Sequence, residues 1–91
     1  MIKYTIGPLI KIYRDDELIE EVKNRRSELA DYAAVLNCLV LAKPNETICC
    51  PSAKIINEIT LKQNCAQDVK VFRDDCELLW KKKLVRFVRC M

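Results

Sequence analysis

The chain has 91 residues, 51% of them apolar and 32% charged, with a formal net charge of +3. That length suits one domain, residues 1–91, with one modest core, and the composition is globular rather than disordered. With no histidine the commonest general base near neutral pH is missing, with one glycine (Gly7) a phosphate-cradling loop is excluded, and +3 is too small a charge to establish nucleic-acid binding.

The chain begins with Tyr4 to Tyr13, where Leu9, Ile10, Ile12 and Tyr13 fit a strand and Pro8 marks its beginning or edge. Asp15-Asp16-Glu17 then reads as the acidic first turn of a helix. Leu18, Val22, Leu29, Tyr32, Ala33, Leu36, Leu39 and Val40 recur largely at helical spacing, which predicts a helix from Asp16 to about Leu41. Arg25 interrupts the stripe, and Ser27 could cap a second helix after a break at Asn24–Ser27.

Pro44 and Pro51 bracket a loop. Ser52 offers an N-cap to a helix carrying Ile55, Ile56 and Ile59, which runs to about Gln67. Val69 to Phe72 alternates as a strand, and Asp74 with Glu77 suits a reciprocal cap for a last helix to about Arg89. A strand over Leu84–Cys90 competes with the end of that helix. The stretch Ile10 to Asp16 is echoed by Val69 to Asp75, with four positions identical and three conservative.

The fold class expected is therefore α+β and mostly helical, with three helices and two short strands in the order β-α-α-β-α. The expected core is Ile12, Leu18, Val22, Leu29, Leu36, Leu39, Ile56, Ile59, Val71, Leu79, Trp80, Leu84 and Phe87. Two short strands leave open edges, and pairing across a two-fold would satisfy one, so a homodimer is expected.

Six cysteines show no Cys-x-x-Cys and have no histidine beside them, so no metal site is expected. Cys38, Cys76 and Cys90 read as small buried apolar residues, and Cys49-Cys50, in the loop, as the most reactive thiols. Residues 1–5 lack the apolar stretch of a secretory signal, and no apolar run approaches the ~20 residues that span a bilayer. The setting expected is intracellular, without a membrane, the cysteines mostly reduced. The sequon Asn45-Glu46-Thr47 reads as fortuitous there.

The Asp-Asp pairs at 15–16 and 74–75 read as helix caps, because neighbouring helical residues do not point the same way. No catalytic residue and no cofactor is expected. The candidate binding residues are basic: Lys81, Lys82, Arg86 and Arg89 near the C-terminus, with Lys83 among them, and Arg25 and Arg26 beside Lys23. On a helix Lys82, Arg86 and Arg89 would share one side, opposite Trp80 and Phe87.

From Leu9 to Val40 a strand followed by two helices resembles the ribbon-helix-helix arrangement of dimeric DNA-binding regulators. Asn24 to Ser27 stands where that arrangement carries a glycine-containing turn. The resemblance implies a paired ribbon with Lys11 and Tyr13 reaching the major groove. Two functions are thus expected. One is a non-enzymatic adaptor or inhibitor that binds another protein, of the kind viruses and phages also encode. The alternative is a nucleic-acid-binding regulator that uses a basic helix face or a paired ribbon.

Overall fold

The computed structural model describes residues 1–61 and 67–90. Its strands are β1 (Ile2–Thr5), β2 (Leu9–Arg14), β3 (Glu17–Lys23), β4 (Thr47–Cys50) and β5 (Arg86–Arg89). Its helices are α1 (Ala30–Leu41), α2 (Ala53–Thr60) and α3 (Gln67–Lys83), and a single 3-10 turn over Ser27–Leu29 precedes α1. The strands form one mixed sheet in the order β3-β2-β1-β4-β5. The first three make an antiparallel meander, while β4 runs parallel to both β1 and β5. Parallel neighbours need a crossover, which α1 provides on the way to β4, and α2 with α3 on the way to β5.

This corrects the mostly helical, two-stranded expectation. Asp15 and Asp16 do not start a helix. They hold φ of 50° and 68°, the left-handed pair that a two-residue type I′ hairpin turn requires, and aspartate tolerates it without glycine. The chain therefore doubles back, and Glu17–Lys23 pairs with β2. The ribbon-helix-helix layout goes with it, since the segment after β2 is a strand. Ser27 sits inside the 3-10 turn, with no side-chain cap there.

The second echo fares the opposite way. Val69–Phe72 lies in α3, not in a strand, and the Asp74-Asp75 pair sits in the helix interior. At the other end α3 stops at Lys83, and the competing strand reading is the one realised, as β5. Ser52 does cap α2, its Oγ accepting from the Ile55 amide at 3.4 Å.

Alternation along the strands sorts the sheet into two faces. Ile2, Tyr4, Ile10, Ile12, Ile48 and Cys50 are buried under the helices. Lys3, Lys11 and Tyr13 belong to the opposite face, which no described helix covers. Val35, Cys38 and Leu39 of α1 press onto the buried face, and α3 packs across α1 with Cys76 fully enclosed. Leu29, Leu39 and Ile59 are in the core as expected. Leu18, Val71 and Leu84 are exposed, because each owed its core place to a helix or strand that does not form.

The cysteines also depart from expectation. Cys49 and Cys50 are buried in β4 rather than lying in a loop as reactive thiols. Cys49 is disulfide-bonded to Cys90, just past β5, with the Cα atoms 5.2 Å apart, whereas Cys90 was expected to be a buried thiol. Cys38, Cys50 and Cys76 are free and buried. Cys65 lies outside the described residues. No described helix is long and apolar enough to cross a membrane.

Candidate binding pocket

The six expected basic residues do not form one surface. Arg25 and Arg26 follow β3, at one edge of the sheet, and Arg86 and Arg89 belong to β5, at the other. Within β5, Arg86 and Arg89 stand three apart and so point to opposite faces. Lys81 donates to Glu77 Oε1 at 2.6 Å and lies 5.6 Å from the centre of the Trp80 ring. Lys82 is exposed. Lys83 is turned inward, donating to the Leu39 and Val40 carbonyls at 2.7 and 2.8 Å, so its charge closes the end of α1.

The other cluster, Arg25 and Arg26, stands at a cavity of about 290 Å³. Its walls are Ile10 and Val22 from the sheet, Leu29 and Ala33 from the start of α1, and Phe72 from α3. Local sequence explains the shape. β3 must leave the sheet after Lys23, and Asn24 fastens the exit by donating its backbone amide to Pro8 at 3.2 Å and its Nδ2 to the Gly7 carbonyl at 2.9 Å. The 3-10 turn then lifts α1 away from the sheet corner, leaving a cleft between them.

Three cations rim this cleft. Lys23 and Arg25 are exposed, with no ion pair among the described residues, and Arg26 Nε reaches Glu28 Oε1 at 3.0 Å. Asn24 also lines it, and its Oδ1 is buried with no hydrogen-bond partner among the described residues. A buried acceptor left unpaired is costly, and an entering donor would satisfy it. The cleft can hold an apolar group, offer it one acceptor and surround it with positive charge. Arg25 and Arg26 were legible from the sequence as basic residues. Ile10, Val22 and Phe72 carried no signal beyond hydrophobicity, and Asn24 none at all.

The free thiols among the described residues, Cys38, Cys50 and Cys76, are all buried. Burial pushes the Cys38 and Cys76 thiols up to about 12, the neighbouring Cys50 adding to the effect on Cys38 and Asp75 to that on Cys76. Tyr4 OH donates to Asp31 Oδ1 at 3.0 Å and meets Cys50 Sγ at 3.1 Å, and burial raises its pKa. Cys38, Cys76 and Tyr4 are thereby held neutral. Among the described residues no three Cys, Asp or Glu side chains converge on a metal position.

No family model, no curated protein and no solved structure matches this chain.

Proposed function

We propose that this protein is a non-enzymatic binding module that takes a segment of another protein, an apolar side chain flanked by carboxylates, into the cleft at the end of β3. The observation that carries the reading is the pairing of five apolar walls with the cationic rim of Lys23, Arg25 and Arg26. Apolar pockets with a few placed polar groups are the usual form of a binding site. An apolar anchor supplies affinity, and a charged rim supplies orientation and steering. The exposed outer edge of β3 runs to the mouth of the cleft, so an extended segment could lie along it. An intracellular setting belongs to this reading and requires that the Cys49–Cys90 bond be dispensable for binding.

The test is selection from a random peptide library displayed on phage, followed by affinity measurement on the winners. The expected consensus is Phe, Leu or Trp beside Asp or Glu, with affinity falling at least about tenfold in the Lys23→Glu, Arg25→Glu double variant. Selected peptides without acidic residues, or binding unchanged in that variant, would refute the reading. Filter retention of DNA and RNA at two ionic strengths tests the alternative. Strong retention that falls steeply with salt would favour nucleic acid, against which the splitting of the basic residues between two sheet edges argues.

A further inference from the structure

On the other side of the α1 N-terminus lies a second cavity, of about 360 Å³, between α1, α2 and the start of α3. Its lining is opposite in character to that of the first. Glu28, Asp31 and Glu58 contribute three carboxylates, against the single cation Lys54. Glu58 is the unusual member. It is only 8% exposed, the one charged residue buried in the described core, and its Oε2 has no hydrogen-bond partner among the described residues. Among the described residues its Oε1 has Lys54 Nζ as its ion-pair partner, 4.0 Å away on a side chain 79% exposed. A carboxylate removed from water and left half-unpaired is strongly unfavourable unless something occupies the space before it.

Two features narrow the occupant. Tyr32, Ile55 and Val69 give the same cavity apolar walls, which suit a hydrocarbon stem. The carboxylates are spread around the lining rather than converging on one point, as a compact metal ion would need. A branched donor on a stem matches both, since a guanidinium offers several N–H groups in a planar fork and an ammonium offers three. We propose that this cavity is a binding site for an organic cation, an alkylguanidinium or alkylammonium group, with Glu58 as its principal acceptor and Glu28 and Asp31 as its electrostatic surround. The site meets the cleft beside β3 at one point, where Glu28 accepts from Arg26 of the cleft's rim at 3.0 Å.

The cation could be a free small amine or a side chain on another chain, and the experiment separates them. Amide resonances of the intact protein are followed by NMR during titration with agmatine, then with an end-blocked Gly-Arg-Gly tripeptide, and with the citrulline tripeptide as the uncharged control. Saturable shifts at Tyr32, Ile55 and Glu58 with agmatine indicate a free small cation. The same shifts with the arginine tripeptide alone indicate a partner's side chain. In either case Glu58→Gln should weaken binding by about tenfold or more, the loss of a charged hydrogen bond. Should Glu58→Gln fail to fold, Glu28→Gln at the exposed lip serves instead, with a smaller weakening expected. No saturable shift with either cation, equal shifts with citrulline, or a Glu28→Gln protein that binds as tightly as the parent would overturn the assignment.

Discussion

Arg14 holds Glu46 by two parallel hydrogen bonds, Nε to Oε2 and Nη2 to Oε1, both 2.8 Å long. The same Nη2 donates to the Leu41 carbonyl at 2.9 Å, and Glu46 Oε1 accepts the Lys43 amide at 2.9 Å. One ion pair therefore ties the end of β2 to the end of α1 and to the loop before β4. Bidentate arginine–carboxylate pairs are the strong members of their class.

Its consequence is a dependence on acid. Arg14 is the main cause that lowers Glu46 from 4.5 to about 2. A folded-state value below the unfolded one means stability that is complete above about 4.5 and is lost as pH falls toward 2. Chemical denaturation between pH 6 and 2 should show this fall. Glu46→Gln should be less stable at pH 6 by about 2 kcal/mol and show a shallower decline in acid. An acid limb of unchanged slope in that variant would refute the assignment.

A neighbouring pair of lysines separates a structural charge from a solvated one. Lys83 closes two carbonyls at the end of α1, whereas Lys82, one residue earlier, is exposed. Lys83→Ala should cost about 1 kcal/mol and Lys82→Ala less than about 0.5 kcal/mol. Equal effects in urea titrations would contradict the capping role.

How much of this was legible depended on what each signal was competing with. Ile10-Lys11-Ile12-Tyr13-Arg14-Asp15-Asp16 forms a strand and turn, and the near-copy Val69 to Asp75 forms helix. Seven residues with the same pattern cannot carry the difference. It comes from their surroundings, the first after Pro8 and beside β1, the second running into Leu78, Leu79 and Trp80 and packed on α1. Tertiary context overrides local propensity in this way. Glycine gave no help in placing the turns, since Asp15, Asp16, Asn45 and Leu84 take positive φ in its place. The three cations of the cleft's rim could be named from charge alone, but its walls come from five separate elements and were invisible before the fold was known.

Leu84 offers the clearest way to strengthen the fold. The end of α3 has the hydrogen bonds of a Schellman motif, the Val85 amide to the Trp80 carbonyl at 3.1 Å and the Leu84 amide to the Lys81 carbonyl at 3.4 Å. Leu84 occupies the left-handed position, φ 54°, where glycine is the usual residue, and its side chain is exposed. Replacing it loses little packing and relieves a penalty of ~1–2 kcal/mol, part of which glycine returns through its freer unfolded chain. Leu84→Gly should therefore be the more stable by about 0.5–1 kcal/mol, raising the melting temperature by a few degrees. A lower melting temperature would mean that packing by the Leu84 side chain outweighs the strain of its backbone.

The cysteines make the last prediction, because their environments differ so sharply. Cys49–Cys90 closes a loop of 41 residues that contains α2 and α3 and pins the outermost strand to β4. Loop closure of that length is worth on the order of 4 kcal/mol in the chain-entropy picture. Reduction, or Cys90→Ser, should lower the stability by a large part of that amount and expose the β5 edge first. Cys38 and Cys76, buried and raised to about 12, should resist alkylation at pH 8 in the native protein and react once it is unfolded. Peptide mapping with and without reductant reads both effects at once. A mass map without the Cys49–Cys90 cross-link, or rapid native labelling of Cys38, would show that these sulfurs are not arranged as described.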